Sequence, residues 1–344
     1  MEGAFRLLAA QRNLVEHNAT ALGRKLETSL SQPDPPGTRH EVVGVLALAV
    51  VGIDIGGTRI KAALVGDDGR VLRDQVRPTP PELRDRFADT MAEIVTALDA
   101  TGCAIGIVVP GLVDDARGIG VWSANLNWEN LPIRDIVATA LAVPVAVGHD
   151  VRAGLLGEHR YGAARGHGDV LFLALGTGLA AAAMSGGQVI SGSPWSGEIG
   201  HVCAVPEGRT CGCGRRGCLE TVASAGGIAA EYAERRAATQ PLAETVDAAG
   251  VAARMAAGDD VAKSVWNDAI NHLAAAIAPV ILTLGTRRIV IGGGLIGAGE
   301  TLLEPLRSGL SSLLPQGTGV EIVAAELGDR AAALGASVLA ESPL

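Results

Sequence analysis

The residues best equipped for chemistry lie in one short run, residues 197–220, reading GEIGHVCAVPEGRTCGCGRRGCLE. It carries His201, Cys211, Cys213 and Cys218, one imidazole and three thiols whose number and softness suit zinc in a closed tetrahedral site. Gly212, Gly214 and Gly217 lie among them and permit tight turns, because glycine enters positive φ without penalty. A closed site needs no opening for substrate. The pattern therefore predicts a structural zinc knuckle that pins Glu198, His201 and Glu220 beside a functional pocket. A redox pair formed by Cys211 and Cys213 is the alternative, and a single intervening residue strains such a disulfide.

A second set of candidates sits where strands run into glycines. VVGIDIGGTRIKAALV reads as a β-hairpin with Asp54, Gly56, Gly57 and Thr58 at its tip. No helix opens after these glycines, which separates the motif from a Walker loop or a dinucleotide fingerprint. Its backbone amides can cradle phosphate and Asp54 can hold a hydrated Mg²⁺, or the loop is a plain hairpin turn. The theme recurs at Gly176, Thr177 and Gly178, again between two apolar strands. It recurs a third time at Gly292, Gly293 and Gly294, followed there by a helix. Between them, VPVAVGHD ends a strand on His149 and Asp150. Asp150 is placed for proton transfer, and an N-cap role explains an aspartate there equally well.

The elements that must position these residues are legible in outline. AIGIVVPG is a buried strand ended by Pro110 and Gly111, and SANLNW is a polar loop with Asn125, Asn127 and Trp128 that enters a helix near Pro132. Loops after parallel strands are where α/β folds place ligand groups. A strand is expected from Val45, an amphipathic helix over 81–100, and nearly continuous helix over 223–284 with a break at AAGDD. The chain closes with a strand, VEIVAAEL, and a helix, DRAAALGASVLAE.

Residues 1–40 stand apart as a helical arm and linker, with Phe5, Leu7, Leu8, Leu14, Leu22 and Leu26 near helical spacing before the breaker SQPDPPG. A surface helix, a dimerisation arm and a remnant DNA-binding module all fit that pattern. With 344 residues and 46 glycines the chain is long enough for two lobes of packed α/β layers. Its net charge of −9 disfavours a broad nucleic-acid or anionic-membrane surface. The apolar run at residues 42–52 is too short to cross a bilayer and reads as a buried strand. Five cysteines, three of them clustered beside a histidine, favour metal over a disulfide framework and a reducing, cytoplasmic compartment.

Three strand-to-glycine junctions with an aspartate at a strand end make a nucleotide clamped between two β-rich lobes the economical reading. DIGGTRIK, SANLNW, HD, LGTG, GEIGH, CGCGRRGCLE and IVIGGG occur here in the order seen in ROK proteins (repressors, open reading frames and sugar kinases), and residues 49–344 resemble that family. The resemblance implies an actin-like, hexokinase-like ATPase fold with two ribonuclease-H-like lobes and a cleft between them. The small lobe would span 41–148, completed by the C-terminal helix at about 328–344. The large lobe would span 149–327 and carry the knuckle at 201–218. The resemblance further implies Asp150 as general base, with Glu198, His201 and Glu220 at the sugar hydroxyls and Gly111, Asn125 and Asp150 along the rest of the ring. Asp54, Gly56, Gly57 and Thr58 would serve phosphates and Mg²⁺, Gly176, Thr177 and Gly178 the phosphates, and Gly292, Gly293 and Gly294 the adenosine.

The implied activity is transfer of the γ-phosphoryl group of ATP to the 6-hydroxyl of a hexose or amino sugar, by a homo-oligomer that binds neither nucleic acid nor membrane. The chain departs from the family pattern in three places. His149 stands where an asparagine is usual, Arg152 follows the base where another asparagine is common, and LAAAAM replaces further glycines after LGTG. His149 can bond a sugar hydroxyl or reflect a different acceptor, and the alanine run is expected to narrow the phosphate region. A sugar-responsive regulator and a catalytically silent sugar-binding protein are the alternatives; the first needs a DNA-binding domain that residues 1–40 are too short to supply.

Overall fold

The computed structural model describes residues 49–237 and 244–341. The arm expected over residues 1–40 and the strand start expected at Val45 lie outside the described residues.

β1 (Val50–Ile55) and β2 (Arg59–Val65) form the first glycine hairpin, and β3 (Val71–Pro78) extends it antiparallel. After helix α1 (Phe87–Ala97), β4 (Ala104–Val109) pairs parallel to β1. A small antiparallel sheet of β5 (Leu112–Asp114), β6 (Ile119–Ser123) and β7 (Trp128–Leu131) follows. Helix α2 (Ile133–Leu141) then leads to β8 (Val145–His149), which completes a sheet ordered β3-β2-β1-β4-β8. The small sheet was not expected. Its strands are three to five residues long and their polar turn residues 124–127 read as a plain loop. Trp128 is nevertheless buried there, edge-to-face with Phe87 at 5.9 Å.

α3 (Asp150–Tyr161) opens the second half. β9 (Val170–Leu175), β10 (Leu179–Ser185) and β11 (Gln188–Val189) form an antiparallel run, and β12 (Arg288–Gly292) and β13 (Glu321–Ala324) add parallel strands on the other side of β9. The order β11-β10-β9-β12-β13 repeats that of the first sheet. Alternation along β9 explains its two covered faces: Leu171, Leu173 and Leu175 enter the larger core, while Val170 and Phe172 pack with Leu155 of α3.

The larger core is built from α4 (Glu220–Ala223), α5 (Ala225–Ala237), α6 (Ala248–Ala256), α7 (Asp260–Leu284) and α8 (Glu300–Leu313). Among the described residues α7 alone has the length and composition to cross a membrane. Val265, Trp266, Ile270 and Ile277 on it are buried in this core. Asp259 caps it through the Val261 and Ala262 amides, and Gly285 ends it with φ 64°.

The last helix, α9 (Ala331–Glu341), lies against β1, β4 and α3. Its approach is close enough that a Cβ on Gly335 would collide with the Ala153 backbone, and one on Gly106 with the Ala336 backbone. α9 thus joins the first sheet to the helix that packs on the second.

Candidate active site

The parallel register sets the site. Asp54 lies beside Val108 and Val109 beside His149, so Asp54, Pro110, Gly111 and Asp150 line one edge of the first sheet at the C-terminal ends of its strands. Burial raises the Asp54 carboxyl from 3.8 to about 7, the charge of Asp150 adds to the rise, and Lys61 opposes it. Lys61 is directly opposite Asp54 in the hairpin register, and its Nζ donates to the Asp329 carbonyl at 2.9 Å. Asp150, Asp329 and Lys61 are thus all close enough for their charges to act on Asp54, two carboxylates against one lysine. That excess of hard oxygen donors fits a divalent cation such as Mg²⁺.

Asp150 is the first residue of α3, and the N-cap is His149, with φ −84° and ψ 139°. The alternative reading of Asp150 as the cap is corrected accordingly: the extended backbone that a cap requires falls one residue earlier. The Val151 amide donates to His149 Nδ1 at 3.2 Å and to Asp150 Oδ1 at 2.7 Å. This ties one oxygen of Asp150 to the backbone.

Glu198 precedes a single 3₁₀ turn, Ile199–His201. Its Oε1 lies 3.5 Å from His149 Nε2 and its Oε2 lies 3.6 Å from His201 Nε2. The other His201 nitrogen, Nδ1, is 3.5 Å from Cys211 Sγ, and Cys213 and Cys218 sulfurs are 3.6 Å apart. All four ligand atoms fall within 4.8 Å of one another. Tetrahedral zinc with ordinary bond lengths separates sulfurs by about 3.8 Å and sulfur from nitrogen by about 3.6 Å, so the donor set fits that ion. Gly214 and Gly217 take φ of 87° and 70°, whereas Gly212 is not among the positive-φ residues. Gly217 also backs onto the Val205 carbonyl, where any side chain would collide. Burial raises the Cys211 thiol and pushes Cys218 up to about 12, while the Arg215 amide lowers Cys213.

Glu220 bridges the cluster to the second sheet. Its Oε2 accepts from the Leu179 amide at 3.0 Å and its Oε1 is 4.0 Å from Cys211 Sγ. The Ala225 amide donates to the Gly176 carbonyl at 2.8 Å, so the hairpin of Gly176, Thr177 and Gly178 is bonded at both ends to the segment that follows the cysteines. Gly292 ends the neighbouring strand beside Ala174, which brings Gly293 and Gly294 next to that hairpin. A 3₁₀ turn, Gly294–Ala298, intervenes before α8. The alanines expected to crowd this region lie along β10 instead, with Ala181 in the larger core and Ala182 in the core on the opposite face.

On the first-sheet side, Thr79 Oγ1 donates to the Gly56 carbonyl at 2.6 Å, and Thr58 is exposed. Gly57 faces Asn125, its Cβ position 3.3 Å from the Asn125 Cβ and carbonyl. Asn125 is itself exposed, and Gly111 has φ 100° with the Trp122 carbonyl behind it. Sequence reasoning missed Lys61, Asp329, Asp115 and the work of Arg152. Buried Arg152 donates to both Asp115 oxygens at 2.8 and 3.1 Å and to the Ser196 carbonyl at 3.0 Å. It thereby joins α3, the small sheet and the loop that presents Glu198. Hairpin symmetry about Gly57 and Thr58 was enough to find Lys61; nothing local marks the other three.

Two sheets of one strand order, a glycine hairpin in each, and carboxylates along the C-terminal strand ends of the first define a duplicated, two-lobed α/β protein. The sequence matches the ROK family over residues 50–342, and the chain belongs to it. A glucokinase of Thermotoga maritima is 34% identical over 307 residues, spanning 84% of this chain and 96% of that protein. An N-acetylmannosamine kinase of Shigella boydii is 31% identical over 298 residues, spanning 86% and 99%. Among solved structures, the ROK family glucokinase from Streptomyces griseus in complex with glucose and AMPPNP is similar with a TM-score of 0.71 at 30% identity, covering 85% of this chain and 98% of that one.

Proposed function

We propose that this chain is an ATP-dependent sugar kinase that phosphorylates the 6-hydroxyl of a hexose or amino sugar, with Asp150 as the general base. The observation that carries the assignment is the meeting of Asp54 and Asp150 at the strand ends of the first sheet, on a chain whose relatives include a glucokinase and an N-acetylmannosamine kinase. With Oδ1 held by the Val151 amide, the second oxygen of Asp150 is left to take the hydroxyl proton. The sugar oxygen attacks the γ-phosphorus in line, the bond from that phosphorus to the bridging oxygen breaks, and ADP leaves.

Glu198, His201, Asn125 and Gly111 are assigned to the sugar, with His149 and Glu220 beside it. Gly56, Gly57, Thr58, Gly176, Thr177 and Gly178 offer amides to phosphate, and Gly292, Gly293 and Gly294 border the nucleoside. Asp54 would hold Mg²⁺, which supplies charge neutralisation at the phosphates when bound. His201, Cys211, Cys213 and Cys218 would hold zinc, whose contribution is to fix the loop carrying His201 and Glu220. The small lobe is assigned to 41–148 with the C-terminal helix at 328–344, supported by the packing of α9 on β1 and β4, and the large lobe to 149–327. Five cysteines with no disulfide among them suit a reducing compartment, and a cytoplasmic homo-oligomer is the proposed working form.

ADP release measured across a panel of hexoses and amino sugars tests the assignment. Asp150→Asn is expected to lower kcat by about 10²- to 10⁴-fold while leaving sugar binding largely intact. Near-normal turnover in that variant removes Asp150 from the role of base.

A further inference from the structure

We infer that His149 is a positioning residue for Glu198, holding the carboxylate that meets the sugar without touching the sugar itself; this rests on the kinase reading above. His149 is 3% exposed, and both of its ring nitrogens face protein groups. The Val151 N–H points at Nδ1 from 3.2 Å and at Asp150 Oδ1 from 2.7 Å, and that Oδ1 itself lies 3.3 Å from Nδ1. With the amide hydrogen directed at Nδ1, the lone pair belongs there and the hydrogen on Nε2, which is the tautomer the inference requires. Nε2–H then faces Glu198 Oε1 at 3.5 Å, while His201 Nε2 faces Oε2 at 3.6 Å. Glu198 thus stands between two imidazoles, one at the start of α3 and one on the cysteine loop.

Two consequences follow for the site. A carboxylate flanked by two ring nitrogens is held in one plane, with its remaining lone pairs open to sugar hydroxyls. An asparagine in place of His149 can still cap α3, because asparagine is a preferred N-cap, yet its amide ends one ring atom short of Nε2. Histidine is therefore needed for the reach to Glu198, not for the helix start.

His149→Asn separates the two roles. The melting temperature is expected to hold, since the cap is retained. Binding of glucose and N-acetylmannosamine, measured by calorimetry, is expected to weaken about tenfold for whichever sugar the enzyme takes, with binding of a non-hydrolysable ATP analogue unchanged. In a Glu198→Gln background the same change should cost no more than about twofold, because the carboxylate it orients is gone. An equal loss in both backgrounds would mean that His149 meets the sugar directly, and no loss in either would reduce it to a helix cap; both overturn the inference. Nitrogen-15 NMR of labelled histidine gives a readout without sugar: the Nε2–H tautomer is expected, and the Nδ1–H tautomer overturns it. If neither sugar binds the unaltered protein the kinase reading fails, and the tautomer still tests the geometry by itself.

Discussion

Asp54 bears the clearest electrostatic cost in the molecule. The folded protein keeps its proton up to about pH 7, whereas an unfolded chain releases it near the ordinary value of 3.8. Between those values the folded state binds more protons, so stability falls as pH rises from about 4 to about 7 and levels off above. Asp54→Asn removes this loss. Measured by urea unfolding without nucleotide or magnesium, the variant is expected to exceed the parent by roughly 1–3 kcal/mol at pH 8, a figure discounted for partial exposure. The gap should narrow steadily toward pH 4.5, and a gap independent of pH would show that Asp54 titrates like an exposed carboxylate. At this scale the sequence was a good guide to reactive types and a poor one to their partners. Asp54, Asp150 and His201 announce themselves by motif. Asp115 and Arg152 are 37 residues apart and meet only because the small sheet folds back over α3.

The elements meet through backbone as much as through side chains, and α9 shows it best. Gly335 lets it ride on the Ala153 backbone of α3, while Gly106 of β4 accepts its other side. Gly335→Val is expected to destabilise the protein by more than about 2 kcal/mol in thermal or urea unfolding, because the α9 backbone must part from that of α3 at Ala153. Gly297→Ala, whose Cβ would meet open space, should change stability by less than about 1 kcal/mol. Equal effects would mean that the α9 contact is looser than its geometry. Arg152 makes the second joint, and its guanidinium is buried with a half-buried Asp115 as its only carboxylate partner among the described residues. Asp115→Asn strands that charge and should cost roughly 2–4 kcal/mol. The same change should cost markedly less alongside Arg152→Met, a non-additivity that unfolding of the four proteins measures directly. Helix and strand periods were readable for β1, β9, α7 and α9, whose apolar runs are long. β5, β6 and β7 were not, because strands of a few residues give no period and their turn residues mimic a loop.

Across the whole molecule, the cysteine loop is a joint between the two candidate binding regions. One route runs from His201 through Glu198 to His149 at the start of α3, and the other runs from Glu220 to the Leu179 amide at the second glycine hairpin. The motifs gave the members of both routes, and only the fold gave their order, since residues 149, 179, 198 and 220 belong to separate elements. Metal removal should therefore be felt at both ends. Cys211 and Cys218 hold their protons above the usual thiol range because they are buried, so a metal entering the loop must expel protons and its affinity must fall as pH falls. A chelator is expected to strip the protein at lower concentration at pH 6 than at pH 8, with bound zinc followed by elemental analysis. The stripped protein should melt at least about 5 °C lower and should bind both sugar and a non-hydrolysable ATP analogue more weakly. A stripped protein that loses sugar affinity alone would leave Glu220 without its role at the hairpin. One that keeps its melting temperature and both affinities would show that the loop is already set by Arg209, which bonds Glu231 and the Thr221 and Gly227 carbonyls, and needs no ion to hold it.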